Sequence, residues 1–498
     1  MKLIANAGSG RSCYTTERKT NQLRRGTHVK HRIASIIAGA LLPLSAGWAA
    51  PAPPLPPAAD QAMARAIYKE LIEINTTHEH GSTVAAHAVE KRLLDAGYPR
   101  ADVLFIAPDD HPDKGNVIVR IHGKGKGKPV LFLGHLDVVE AKREDWSVDP
   151  FALTEKDGYF YGRGSMDMKD GIAAMLETFI RLKREGFVPD RDLIGGFTAD
   201  EEAGGNANGP AFLLKEHRAL IDAGLMLSFD GGGGDLKNGK RLEFNVNTSE
   251  KTYVTYSLET TGPGGHGSLP TPDNPIYRLA AGLGRIEAYK FPVILTDTTR
   301  ASFLKMADLD AGPQSADMRA VAANPPDLTA AERLSQNVFF NAQLHTTCVA
   351  TLISGGHAEN ALPQRAKATV QCRMMPGDSE KNVRDSLTTA LSDPAITIKL
   401  DAPPIVSPES PVSKELFGKI ARVVDSMWPG APVVPAMATG FGDTRQTRNA
   451  GIPSYDLSGR WLEQGENRAH GRDERVGVQS FDENVEYTYR IVKAMGRN

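Results

Sequence analysis

The sequence predicts a layered α/β fold with a smaller α+β domain inserted into it, and three observations carry that expectation. Short apolar runs at Asn116-Val-Ile-Val-Arg-Ile121, Val130-Leu-Phe-Leu133, Leu193-Ile-Gly-Gly-Phe197 and Leu225-Met-Leu-Ser-Phe229 alternate with helical patterns such as Gly171 to Leu182. Between about 247 and 376 the pattern changes: Tyr253 to Glu259 alternates as a strand, 274–288 is helical, and 347–353 and 366–373 read as strands again. From 380 onward the layered pattern resumes, with helices expected at about 411–427 and 480–495.

Taken in order, residues 1–50 read as a signal peptide. Arg24, Arg25, Lys30 and Arg32 lead into the apolar, small-residue run Ile33 to Leu44. That run is short and broken by Gly and Pro, so no stable membrane span is expected after cleavage, and the chain is expected to be periplasmic or secreted. A Pro-rich linker at 51–60 precedes the first part of the layered domain, 61–246, which opens with helices at 61–74 and 83–95. The inserted domain is placed at 247–376 and the second part of the layered domain at 377–498. Within the insertion, 297–345 carries helical patches and reads either as a lid-like element or as a surface excursion. Cys348 and Cys372 remain after cleavage. They read as free, buried small hydrophobes, with a disulfide left open because sequence does not show that their Cβ atoms meet.

Composition limits the function classes. The 498 residues are 24% charged with a formal net charge of -2, so there is no basic excess to bind nucleic acid. Gly162-Arg-Gly164 lacks a phosphate-loop pattern and no dinucleotide fingerprint follows a strand, which speaks against a nucleotide enzyme.

The chemistry gathers where the apolar runs end. Val130 to Leu133 leads into Gly134-His-Leu-Asp137, Leu193 to Phe197 into Asp200-Glu-Glu202, and Leu225 to Phe229 into Asp230-Gly-Gly-Gly-Gly234. Open α/β sheets place their ligands at these carboxyl ends. A fourth segment, Gly162-Arg-Gly-Ser-Met-Asp167, sets a carboxylate beside a helix start. Carboxylates crowded at one sheet edge repel one another and are costly to desolvate, so they call for cations. Imidazole with carboxylate is a zinc-type donor mix, and two metals sharing one carboxylate form a hydrolytic site.

On these residues the chain resembles the M20 family of metallopeptidases, most closely its carboxypeptidase S-like branch. The resemblance implies a zinc-exopeptidase-type catalytic domain with a lid and dimerisation domain, and hence a homodimer. It also implies two divalent metals, Zn2+ first, with Co2+ or Mn2+ as alternatives. The metal ligands it implies are His135, Asp167, Glu202, Asp230 and, in Ala-His470-Gly-Arg-Asp-Glu, His470. Glu201 would be the catalytic base and Asp137 the acid supporting His135. His266, in Thr-Gly-Pro-Gly-Gly-His266-Gly-Ser, would polarise the scissile carbonyl, in several members across a dimer. Asn360, Arg373 and Gly440 would bind substrate, the arginine fork suiting a carboxylate.

The expected reaction is cleavage of a peptide or amide bond in a small carboxylate-bearing substrate by metal-activated water. A carboxypeptidase or dipeptidase is one outcome and an N-acyl-amino-acid amidohydrolase another. A secreted metal- or peptide-binding protein without turnover is the competing class. Glu201 speaks against it, since a binder needs ligands but no base.

Overall fold

The computed structural model describes residues 52–202, 207–309 and 312–497, so the expected signal peptide lies outside the described residues. A ten-stranded mixed sheet forms the centre. Its strands run in the order Val103–Ile106, Asn116–Ile121, Leu193–Thr198, Val130–His135, Leu225–Ser228, Ser454–Asp456, Lys240–Glu250, Gly233–Lys237 and Trp461–Glu463, with Val433–Ala438 paired to Lys240–Glu250. Strand Val130–His135 lies parallel between Leu193–Thr198 and Leu225–Ser228, which puts three carboxyl ends side by side.

Both faces of this sheet are covered. Val130 and Phe132 join the core formed with helices Ala58–Glu73, Lys169–Arg184 and Val478–Met495, while Leu131 and Leu133 pack with Leu213, Ile221 and Met226 on the other side. Successive strand residues point to opposite faces. With neither face wet, the strands read as unbroken apolar runs rather than alternating ones. Helix Lys169–Arg184 is buried from Lys169 through Leu182, because the other two helices of its layer pack against it.

A second, antiparallel sheet runs Thr347–Gly355, Arg365–Met374, Thr252–Thr261 and Thr397–Leu400. Helices Pro275–Ala288 and Glu380–Leu391 give Leu279, Ile286, Val383 and Leu387 to its core. Elements of this unit therefore continue past 376, where the sequence reading ended the insertion. Helix Glu380–Leu391 finds its apolar partner here rather than on the large sheet. At the other boundary, 246/247, strand Lys240–Glu250 stays with the large sheet.

The segment 297–345 is a packed insertion, not a surface excursion. Helices Asp297–Leu309, Gln314–Val321, Leu328–Leu334 and Val338–Leu344 gather Phe303, Met318, Val321, Leu334 and Leu344 into a core of their own. The reading of Cys348 and Cys372 as free thiols is corrected: they form a disulfide. The two residues face each other in register on strands Thr347–Gly355 and Arg365–Met374, a register that sequence spacing does not reveal. Among the described residues no helix is long and apolar enough to cross a membrane.

Candidate metal centre

Each donor arrives at the end of an element. His135 closes its strand, Glu201 and Glu202 follow strand Leu193–Thr198, and Asp230 follows Leu225–Ser228. Asp167 precedes helix Lys169–Arg184, and the peptide bond to Met168 is cis. His470 lies in the loop before strand Arg475–Gly477.

These residues meet in three overlapping groups among the described residues: His135 with Glu201 and Glu202, His135 with Asp167 and Asp230, and Asp167 with Glu202 and His470. Within each group the donor atoms lie inside 4.8 Å of one another. Asp167 belongs to two groups, its Oδ1 lying 3.3 Å from His135 Nε2 and its Oδ2 3.1 Å from His470 Nε2. Asp230 Oδ2 is 3.8 Å from His135 Nε2, and Glu202 Oε2 is 2.9 Å from His470 Nε2. Two nitrogen and oxygen donor sets thus stand back to back across one shared carboxylate.

Asp137 sits behind them. His135 Nδ1 donates to its carbonyl at 3.1 Å, which orients the ring and turns Nε2 toward Asp167 and Asp230. That Nε2 is buried and makes no aligned hydrogen bond. The Asp137 carboxylate accepts the Glu201 N–H at 3.2 Å and the Glu202 N–H at 2.9 Å.

The electrostatics show what the cluster lacks. Burial pushes Glu201 well above the usual carboxylate range, Glu202 up to about 7 and Asp230 up to about 6. Hydrogen bonds to Asp167 and Glu202 lift His470 to about 10. Burial alone would lower His135, but the carboxylates around it, Asp167 first, hold it well above its ordinary value. Burial works against charge on Asp167 too, but the two imidazoles hold it below its ordinary range, and this crowding of raised acids and raised imidazoles marks a cluster short of positive charge. With an orphaned imidazole nitrogen and this donor mix, the residues fit two divalent cations.

Three supporting residues escaped the sequence reading, and a fourth, Glu474, entered it only as the context of His470. Glu474, buried, accepts from the backbone N–H groups of Gly164, Met166 and Asp167 and from Arg163, so it shapes the loop that carries Asp167. Its signal was present as the fourth residue after His470. Buried Arg460 binds the carbonyls of Met166 and Asp230 and the carboxylate of Asp170, a link across 290 residues that no local pattern announces. Asp443 accepts from Asn208 at 2.8 Å beside Thr198, and burial lifts it to about 6. Lys114, buried, sits 3.0 Å from Asp200. Asp200 takes a left-handed backbone (φ 60) and pairs with this lysine, which gives it the supporting part in the acidic triplet.

The donors open onto a cavity of about 820 Å³ that Arg373 and Gly440 also line, together with Tyr253, Phe441, Arg445 and the segment Ala402 to Ile405. His266 and Asn360 are not among its lining residues. They sit together on an exposed ribbon, where strand Gly265–His266 pairs with Ala361–Leu362 and the Gly267 N–H donates to the Asn360 carbonyl at 2.7 Å. The reason is register. Arg373 pairs with Tyr253 at one end of two long strands, whereas the ribbon leaves from the other end, at Thr261 and Arg365. Eight residues of strand separate the two ends, about 27 Å.

A sheet whose strand ends deliver two abutting imidazole and carboxylate sets defines the class: a dinuclear metal hydrolase. The family model for Peptidase family M20/M25/M40 matches residues 131–494, and the chain belongs to that family, whose members are dinuclear-metal hydrolases of peptide or amide bonds. Among similar proteins, the N-fatty-acyl-amino acid synthase/hydrolase PM20D1 of Xenopus tropicalis is 28% identical over 374 residues, covering 73% of this chain and 72% of its own. The probable carboxypeptidase S-like 2 of Dictyostelium discoideum is 28% identical over 382 residues, covering 74% and 71%. In structure, the M20 family metallo-carboxypeptidase Sso-CP2 of Sulfolobus solfataricus matches with a TM-score of 0.64 at 18% identity, covering 87% of this chain and 99% of its own, which supports the fold.

Proposed function

We propose that this chain is an exported metal-dependent hydrolase that cleaves the amide bond of N-acyl amino acids or the terminal peptide bond of small peptides. The observation that carries the reading is the shared Asp167 with a base, Glu201, next to a ligand, Glu202. His135, Asp167 and Asp230 would hold one divalent ion, and Asp167, Glu202 and His470 the other. Such a pair supplies Lewis acidity for the scissile carbonyl and for the attacking water. Glu201, acting as the carboxylate and made a stronger base by its burial, takes the proton from that water and then delivers it to the departing nitrogen. Asp137 holds Glu201 and Glu202 by their backbone N–H groups. Arg373 takes the substrate carboxylate and so positions the amide for attack, with Gly440 on the same wall.

His266 and Asn360 enter through a second copy of the chain. Strand Thr347–Gly355 is one of the two edges of its sheet, and Val349, Leu352 and Ile353 on it are 57%, 68% and 64% exposed, which suits pairing with a symmetry mate. The disulfide fits an oxidising compartment and so supports export. The names of the relatives favour N-acyl amino acids and C-terminal peptide bonds as substrates.

The test is metal analysis of the full chain with a panel of N-acyl amino acids and dipeptides, before and after chelation. Two ions per chain and hydrolysis that vanishes on chelation and returns with Zn2+, Co2+ or Mn2+ are expected. Turnover indifferent to chelation overturns the reading.

A further inference from the structure

The cavity wall facing the metal donors carries two guanidinium groups, not one. Arg373 Cζ stands 5.0 Å from the Tyr253 ring centroid and 5.5 Å from that of Phe441, and Arg445 Cζ stands 4.1 Å from the same Phe441 centroid. The two cations therefore stack against one aromatic side chain, which fixes their planes and limits their rotamers. Arg373 Nη1 and Arg445 Nε are both buried without a hydrogen-bond partner. Among the described residues neither guanidinium has a close ion pair: buried Glu250 lies 3.3 Å from Arg448, one turn further along the same helix, and acts on Arg445 only at longer range. Asp401, an acid on the same cavity, is taken by Ser257 Oγ at 2.6 Å.

A partly buried guanidinium without a close counter-charge is costly, and an anionic ligand offsets that cost. A substrate with a single carboxylate satisfies Arg373 and leaves Arg445 with no close anion, only the more distant Glu250 that Arg448 already pairs. Because both cations flank Phe441, the second anion has to lie close to the first, on the same amino acid unit rather than at the far end of the acyl group. We propose that Arg445 is a specificity-determining residue that reads a second carboxylate, so that amides of acidic amino acids, N-acyl-glutamate, N-acyl-aspartate and peptides ending in them, are the preferred substrates. The proposal rests on the amide-hydrolase reading above. In this arrangement Arg373 holds the α-carboxylate and Arg445 the side-chain carboxylate of the departing amino acid. The apolar segment Ala402 to Ile405 is left to face the acyl group.

The experiment compares N-acetyl-glutamate, its near-isostere N-acetyl-glutamine, N-acetyl-leucine and N-succinyl-leucine on the metal-loaded full chain, in wild type, R445Q and R445K. In wild type, kcat/KM for the glutamate derivative exceeds that for the glutamine derivative by about tenfold or more, mostly through KM. R445Q brings that ratio close to one and R445K keeps part of it. Glutarate inhibits wild type more strongly than butyrate, and R445Q loses this difference. A wild-type ratio at or below one, a ratio that R445Q leaves where it was, or a preference for the succinyl substrate overturns the proposal. If R445Q does not accumulate as folded protein, the wild-type ratio and the glutarate-to-butyrate comparison decide. Cleavage of none of the four substrates defeats the amide-hydrolase reading and this proposal with it, while cleavage without acidic preference defeats this proposal alone.

Discussion

The edge of the large sheet and the far ribbon of the small one stand at opposite degrees of completion. At the large sheet, six donors from five chain segments converge within one chain and are braced from behind by Asp137, Glu474 and Arg460. At the ribbon, His266 and Asn360 stand exposed with each other for company, about 27 Å of strand from the arginine they were expected to join. The difference teaches that the donor cluster and the ribbon are built on separate frames. The first is assembled within one chain, and under the proposed function the second would reach a substrate by the arrival of another surface.

The sharpest way to break this contrast is at the base. E201Q should lower kcat by roughly a thousandfold while metal content, read by elemental analysis, stays at the wild-type level. Loss of metal along with activity would mean that Glu201 is a ligand and that the large-sheet site is differently divided. Next in size is a complementation test. H266A and E201Q, each nearly inactive alone, should recover about a quarter of wild-type activity when unfolded and refolded as a mixture, because half the dimers are mixed and one site in each is intact. A chain that sediments as a monomer, or mixtures that stay inactive, would place the ribbon outside the reaction.

R373A should raise KM about ten- to a hundredfold for carboxylate-bearing substrates with a smaller change in kcat. An equal fall in kcat would assign Arg373 to the chemical frame instead. The smallest effect tests the rigidity of that frame. Glu177 lies fully buried on helix Lys169–Arg184 with both carboxylate oxygens unpartnered, and burial, reinforced by Asp60, lifts it from 4.5 to about 8. The folded chain then keeps a proton that the unfolded chain releases, so stability falls as pH rises from 4.5 to about 8. E177Q should flatten that stretch of a Tm-against-pH curve, by on the order of a few kcal/mol at its upper end, and leave kcat/KM alone.

The donors gathered at the large sheet were legible because His135, Asp167, Glu201, Glu202 and Asp230 each follow an apolar run or a glycine-rich turn, whereas His470 was found only through the motif it sits in. Helices such as Thr83–Asp95 and strands such as Asn116–Ile121 were legible for the same reason, since burial against a core leaves a periodic trace. What stayed hidden depended on register or on distance along the chain. Arg460 reaches Asp170 and Asp230 from another part of the sequence. Cys348 meets Cys372 only because two strands align. The extension of the small sheet to Leu400 rests on a strand whose residues are part-exposed and whose apolar signal is correspondingly weak. His266 and Asn360 matched a motif but not a place, since a motif carries no information on how far a ribbon stands from the cavity.

Asp137 links the two halves of the donor cluster through a single residue. Its carbonyl holds the imidazole of His135, and its carboxylate holds the turn that presents Glu201 and Glu202. A displacement of that turn is therefore passed to the histidine on the opposite side of the shared Asp167, and a displacement of the histidine is passed back. The donors on the two sides of Asp167 are thus tied through this one residue, so an ion held by one set would also steady the other.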